Sequence, residues 1–266
     1  MNFTKDDIIT TDKYYNNFKT IYFKTDAIVY NNIFDWRGIT VHPPTKNMDV
    51  ILSGHSDFGI DDSHVDLFSP SLWYTVNKQT SNQSVCSLPL GITNNTNESH
   101  IHPVYGDLDS MIDVMSQPIE KKNLAYMNFN IGTYPQERQL VWNLFNAQNW
   151  VTVGHIVNTI AGRTSFLKEI KSHHFVFCPR GNGVDTHRLW ETLYMGSIPI
   201  VKRNIAYEEF YDLPICFIDD WTEVTEDFLE REKIRINSST YCLDKLKLSY
   251  WVDRINTSIE NANSTR

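Results

Sequence analysis

His174-Phe-Val-Phe-Cys-Pro-Arg-Gly-Asn-Gly-Val-Asp-Thr-His-Arg-Leu-Trp-Glu-Thr-Leu-Tyr-Met-Gly-Ser-Ile-Pro-Ile-Val201 reads as a buried strand, a glycine-flanked polar turn, a helix and a second buried strand. Phe175 to Cys178 is an unbroken apolar run, too short for a helix and rich in β-formers, and Pro179 ends it because proline cannot donate to a ladder. Asp185 or Thr186 is placed to cap the helix, whose Leu189 and Leu193, with Trp190 and Tyr194, form an inward stripe. Gly196 falls at the C-cap, and Ile198 to Val201 is the next buried strand. A strand–helix–strand unit of this kind has parallel strands and a right-handed crossover, so the fold class is α/β. In open α/β sheets, nucleotides and phosphates bind in the crevice at the carboxyl ends of the strands.

The polar residues of the unit gather at that crevice. Arg180, Asp185, His187, Arg188 and Glu191 fall on the turn or the first half of the helix, and Gly181, Asn182 and Gly183 let a ligand approach the backbone. Free N–H groups at a helix N-terminus and two arginines suit a diphosphate. Glu191, one turn after His187, can face the same crevice and accept ribose hydroxyls. The plainer alternative has Asp185 capping, Arg188 and Glu191 pairing on the surface, and His187 in solvent.

Phe177-Cys-Pro-Arg-Gly-Asn-Gly, Asp185-Thr-His-Arg-Leu-Trp-Glu and Met195-Gly-Ser-Ile-Pro-Ile-Val together resemble the donor-binding signature of exostosin-like glycosyltransferases (glycosyltransferase family 47-like). The Glu-Thr-Leu-Tyr-Met-Gly-Ser-Ile-Pro portion also resembles the broader Glu-Ala-x-x-x-Gly-x-Pro motif of GT-B enzymes, with Thr192 where Ala is usual and Ser197 where the family often has Cys. The resemblance implies two Rossmann-like halves with a cleft between them: residues 1–120 on the acceptor side, 121–240 binding the donor, and 241–266 as a helix crossing back to the first half. It implies a nucleotide-sugar donor, a UDP-sugar, bound by Arg180, Arg188 and the helix N-terminus with Glu191 on the ribose. It further implies transfer to a glycan acceptor with inversion, and no need for a metal cofactor.

With 266 residues the chain is large enough for a substantial core, and a net charge of -8 with no basic run argues against nucleic acid or an anionic membrane as partner. No stretch is apolar enough to span a bilayer and the first residues lack a signal core, so a soluble cytoplasmic protein is expected. Cys86, Cys178, Cys216 and Cys242 lack metal-ligand spacing and read as free thiols. Asn82, Asn94 and Asn237 open Asn-x-Ser/Thr triplets that read as chance in an Asn-rich chain.

Ahead of the signature, strands are expected at Thr20–Phe23, Ala27–Tyr30, Met48–Ser53, Leu72–Val76, Val85–Leu90, Asn123–Phe129 and Trp150–Val153. Helices are expected after Pro135 and from Gly162 to Ile170. Beyond the signature come a helix at Ala206–Tyr211, a strand at Pro214–Ile218, a helix from Thr225, and a helical pattern from Thr240 to Ala262. A hinge is expected near Ser116 to Asn123.

His55 and Asp57 directly follow a buried strand, and either suits the general base that an inverting transfer needs, although Ser56 and Asp57 also fit a simple Asx turn. The resemblance suggests that Trp73 and Asn77 line the acceptor side, although aromatic residues near turns are more often core; Asn128, at a strand end, and Arg163, opening a helix, are candidates for the donor. Asp107-Leu-Asp109 matches the Asp-x-Asp motif of metal-dependent GT-A transferases, an alternative reading, but also stands where a helix favours acidic residues. His100 and His102 lack a third zinc ligand, and His173 and His174 are either solvated or cleft-facing. A non-catalytic glycan-binding module is the alternative from outside enzymology.

Overall fold

A computed structural model describes residues 3–264. The strands are β1 (Tyr22–Lys24), β2 (Phe34–Trp36), β3 (Ile39–Val41), β4 (Val50–Gly54), β5 (Leu72–Thr75), β6 (Val85–Ser87), β7 (Asn123–Met127), β8 (Val151–Val153), β9 (His173–Phe177), β10 (Ile198–Lys202) and β11 (Cys216–Ile218). The α-helices are α1 (Thr11–Asn17), α2 (Thr25–Val29), α3 (Asp62–Phe68), α4 (His102–Tyr105), α5 (Leu108–Ser116), α6 (Pro135–Phe145), α7 (Ile160–Ser172), α8 (His187–Tyr194), α9 (Glu226–Asn237) and α10 (Leu248–Ser264).

Two parallel sheets carry the architecture, as the strand–helix alternation requires. The first runs β1-β4-β5-β6, and the second runs β11-β10-β9-β7-β8. Renumbered within its own half, the second sheet has the doubly wound order 2-1-3-4-5, with strand order reversing between β7 and β9. That reversal opens a crevice at the carboxyl ends of both strands, because the connections leave to opposite faces of the sheet. Phe177, last residue of β9 and partner of Ile200 in β10, delivers the polar turn directly to it.

Both sheets are apolar on both faces, as parallel sheets are. Phe175, Phe177, Ile200 and Cys216 bury one face of the second sheet with Trp221, and Val176 and Val201 bury the other beneath α8 and α7. The inward stripe of α8 is as its spacing predicts: Leu189, Trp190, Leu193 and Tyr194 are buried. Gly196 takes φ of +69° just beyond that helix, a left-handed conformation that a side chain would strain. Helix α10 packs back onto α1 and β4 of the first sheet.

Several expectations need correction. Ala27–Tyr30 is not a strand: α2 occupies Thr25–Val29, where Thr25, Ala27 and Ile28 share a buried face. A four-residue apolar run fits either period, and the Thr25 hydroxyl donating to the Gly54 carbonyl (3.2 Å) favours a helical turn at the end of β1. Ala206–Tyr211 is a 3-10 helix over Ile205–Phe210. The β2–β3 hairpin, closed by Arg37-Gly38, is absent from the sequence reading. His173 does not face the cleft: it is fully buried at the opposite, amino end of β9, with Nε2 2.8 Å from the Thr152 hydroxyl.

The segment expected to hinge is tied down by two lysines. Lys171 donates to the carbonyls of Val114, Met115 and Gln117, and Lys121 to those of Lys171 and His173 and to Ser197 Oγ. Burial, with Lys171 nearby, pushes the Lys121 ammonium down to about 8.

Tyr194 joins three distant parts of the chain. Its buried hydroxyl accepts from the Ile9 N–H (3.0 Å) and donates to the Leu246 carbonyl (2.9 Å). Tyr194→Phe leaves both backbone groups unpaired, at about 1–3 kcal/mol for each. The expected outcome is a melting midpoint lower by at least roughly 4 °C in a thermal denaturation scan.

Candidate functional site

A cleft of about 490 Å³ opens at the switch point, with walls from both halves. From the second half come the ends of β7 and β9, the Cys178–Asp185 turn and the first turn of α8; from the first half come the loops after β4 and β6 and helix α4. Gly181, Asn182, Gly183, Asp185, Thr186, His187, Arg188 and Glu191 all line it.

The N-terminus of α8 faces this space uncapped. Thr186 is the N-cap residue but makes no side-chain cap bond, and its buried hydroxyl has no partner among the described residues. Asp185 does not cap either. Its carboxylate accepts from the Leu90 N–H (2.8 Å) and the Trp190 indole (2.9 Å), and the Asp185 N–H donates to Asn77 Oδ1 (2.8 Å). Asp185 is thus a bridge between halves, and burial pushes its carboxyl up to about 7 against the pull of these N–H donors.

Among the described residues two guanidinium groups reach the cleft, one of the two expected from sequence and one that was not. Arg188 lines it, its charge stacked 4.3 Å over the Phe166 ring and its Nη1 donating to the Asn128 carbonyl. Arg180 is not on the wall: its guanidinium stacks 4.4 Å over Tyr134 and donates to the Gly181 and Asn182 carbonyls of its own turn. Its place is taken by Arg138 of α6, which lines the cleft and donates to the carbonyls of Arg180 and Asn130, each at 2.8 Å. Burial and the nearby Arg188 charge push Arg138 down to about 10. Nothing in the local sequence marked Arg138, because Gln136-Glu-Arg reads as an ordinary helical first turn.

Glu191 sits behind these cations with both oxygens engaged. Oε1 accepts from Arg163 Nη1 at 2.5 Å and Oε2 from Arg188 Nε at 3.3 Å. Arg163 does not itself line the cleft: it is fully buried on α7, stacked 5.5 Å from the rings of Tyr105 and Phe166, and holds Glu191 in place. Asn128 is also buried, its amide donating to the Tyr126 hydroxyl (2.8 Å), so only its carbonyl contributes here, through Arg188.

On the first half, Trp73 is fully buried in β5 with its indole donating to Ser53 Oγ (2.9 Å), so it is core and not an acceptor contact. Asn77 is buried too. It takes a left-handed φ of 61° and reaches Ser56 and Asp185 rather than the open cleft. Gly183 passes so close to it that a Cβ would stand 2.7 Å from Asn77 Nδ2.

His55, also left-handed at φ 56°, lines the cleft with both ring nitrogens occupied. Nε2 is 2.7 Å from Asp12 Oδ1 and Nδ1 is 2.6 Å from the Tyr22 hydroxyl. Although burial raises it, Asp12 is held below the ordinary carboxylate range by His55 and Arg37, so Nε2 donates to it and Nδ1 accepts the tyrosine proton. Asp57 by contrast is exposed on the wall, its carboxylate bonded to Asn182 Nδ2 at 3.2 Å. A second groove of about 480 Å³, lined by Lys24, Asp26 and Phe58, shares His55, Ser56, Asp57 and Asn182 with the first.

Asp107 and Asp109 lie outside the cleft. Asp107 caps α5 by accepting from the Ser110 N–H (3.1 Å), and Asp109 pairs with Lys5. Among the described residues, no group of three or more His, Cys, Asp or Glu side chains is arranged to hold a metal ion, and no helix is long and apolar enough to cross a membrane. All four cysteines are free thiols.

No protein-family model matches the chain, and no curated protein matches it. Among solved structures, it is similar to an α1,3-fucosyltransferase crystallised with GDP-fucose, at 12% identity and a TM-score of 0.44, over 83% of this chain and 79% of that one.

The raised Asp185 carboxyl has a defined consequence for stability. A carboxyl whose folded value lies above its unfolded value of 3.8 contributes most below that pH, and the contribution is lost as pH rises through about 7. Asp185→Asn removes about one titrating proton from the dependence of unfolding free energy on pH. Urea titrations at pH 4, 5.5 and 7 should therefore give a flatter profile for the variant than for the wild type.

Proposed function

We propose that the chain is a glycosyltransferase that moves a sugar from a nucleotide-sugar donor, a UDP-sugar, to a glycan acceptor, with inversion and without a metal. The observation that carries this reading is the convergence of Arg138, Arg188 and the uncapped N-terminus of α8 on one cleft at the topological switch point. Each favours an anion, and together they match a diphosphate, whose charge grows as the sugar leaves. Glu191 retains a lone pair on each oxygen for the ribose hydroxyls. In this reading residues 1–120 are the acceptor-side half, residues 121–240 the donor half, and the segment from 241 the return helix.

The second groove gives the acceptor its own approach, and Asp57 stands where the two spaces meet. Its carboxylate takes the proton of an acceptor hydroxyl while that oxygen forms the new bond to the anomeric carbon and the diphosphate departs from the opposite face. His55 has no free lone pair for this step, so its role is to hold the wall. Tyr30 and Phe58, two exposed rings packed edge to face at 5.6 Å beside the groove, offer apolar faces on which a sugar can stack.

The test is thermal denaturation in the presence of a chelator with UDP, GDP or no nucleotide. A ligand at a hundredfold excess over its Kd stabilises the folded state by about 2.7 kcal/mol, a shift of several degrees. We expect UDP to raise the midpoint, and Arg138→Ala or Arg188→Ala to weaken binding by about 10- to 100-fold, the value of a charge-assisted hydrogen bond. A shift with GDP alone moves the base assignment; no shift with either nucleotide, together with binding to immobilised glycans, replaces the enzyme by a glycan-binding module. Asp57→Asn is expected to abolish sugar transfer while leaving the UDP shift intact.

A further inference from the structure

We infer that His187 is a proton-coupled ligand of the donor diphosphate: its imidazole is neutral in the free protein and takes up one proton at Nε2 as the diphosphate arrives. This rests on the donor-cleft reading above and goes beyond it, because it gives one cleft residue a change of charge state during the binding step.

The geometry fixes the tautomer. His187 Nδ1 lies 2.8 Å from the Gly91 carbonyl oxygen of the opposite half. A carbonyl only accepts, so Nδ1 carries the hydrogen, and in the neutral ring the lone pair belongs to Nε2. The ring stands on the cleft wall at the first position of α8, with Thr186, whose hydroxyl is unpartnered among the described residues, before it and Arg188 after it in the chain, both lining the same wall.

The charged and titratable groups around it come from both halves of the cleft. Glu191 and Arg188 share its helix, Asp185 stands just before it, Asp57 follows β4, Glu98 precedes α4, His102 belongs to α4 and Arg138 to α6; of these, Asp185 is another group that can exchange a proton near neutrality. Burial dominates and holds the free imidazole below its ordinary value; the Gly91 carbonyl, Glu191 and Asp57 favour the cation, and His102 opposes it. A third permanent cation beside Arg138 and Arg188 would add to the repulsion already evident at Arg138. A histidine avoids that cost while the cleft is empty.

An arriving diphosphate reverses the balance. A lone pair facing phosphate oxygens is repulsive, and one proton from solvent converts the contact into a charge-assisted N–H···O bond. When the bond from the anomeric carbon to the leaving oxygen breaks, its electron pair stays on the diphosphate, and the imidazolium offsets the added charge. No bond forms to His187, and the proton returns to solvent when the nucleotide leaves.

The probe is a nucleotide sugar, whose diester phosphates do not titrate near neutrality: UDP-glucose, UDP-N-acetylglucosamine or GDP-mannose, whichever raises the melting midpoint. Calorimetric titrations at pH 7 in buffers of different ionisation enthalpy count the protons exchanged. We expect uptake of about one proton by the wild type, and a Kd that weakens up to about tenfold per pH unit above neutrality. His187→Gln should bind with no uptake and no such slope, and His102→Gln should keep both. Histidine-selective NMR of the wild type gives an independent readout: one imidazole passes from neutral to cationic on addition of the nucleotide sugar. Binding without proton uptake, or uptake that survives His187→Gln, whether it then disappears in His102→Gln or in Asp185→Asn, overturns the inference alone. Failure of every nucleotide sugar to bind removes the donor reading and the inference with it.

Discussion

The Arg163–Glu191–Arg188 contact is the interaction on which the cleft depends. Glu191 is a single buried carboxylate serving two guanidiniums, one of them fully enclosed with its Nε and Nη2 unpaired among the described residues. Buried ions of this kind seldom add stability, since desolvation offsets most of their attraction. Here the charges do not cancel: two cations share one anion, and Arg138 adds a third positive group nearby. That local excess of positive charge suits an anion on the cleft side. The arrangement makes sense as preorganisation for a ligand and poor sense as a stabilising device.

Preorganisation also explains how tightly the halves are joined. Asp185 reaches across to Leu90 and Asn77, His187 to Gly91, and Asn182 to Asp57, all within the turn and first residues of one helix. These are the same residues that line the cleft, so the seam between the halves and the candidate site are one structure. The left-handed backbone of His55 and Asn77, at the ends of adjacent strands β4 and β5, is local strain concentrated at this seam. With the connecting segment fastened by Lys121 and Lys171, a cleft of fixed width follows more directly than one that opens on a hinge.

What the sequence disclosed follows the range of each interaction. The strand–turn–helix–strand unit was legible because period, proline and glycine signals all agree within 28 consecutive residues. Helical spacing left Glu191 and Arg188 either on the cleft or pairing on the surface; they do both, pairing with each other while lining the cleft. Arg180 misled because a glycine-rich turn can aim a side chain either way, and only the Tyr134 ring on a neighbouring element decides it. Arg138 was invisible for the same reason: it is 42 residues from the carbonyl that orients it. Trp73 was ambiguous because a tryptophan near a turn is core or contact depending on what covers it; here it lies inside β5 and Phe68 packs on it at 6.1 Å.

The hairpin that escaped sequence reading completes the picture of the first half. Arg37 at its tip bonds Asp12 (2.7 Å) and pairs with Glu98, while Trp36 packs 4.6 Å from the His55 ring. Asp12 in turn holds His55, and His55 holds Tyr22 at the start of β1. The chain of contacts runs from an exposed hairpin to a cleft-wall imidazole without a gap, with each charge answered by the next. A histidine bound at both nitrogens is a poor proton acceptor and a good strut, and its fixed ring determines where the neighbouring Ser56-Asp57 backbone must turn. Removal of the hairpin's arginine would therefore act on the cleft through Asp12 and His55, although Arg37 does not itself line it.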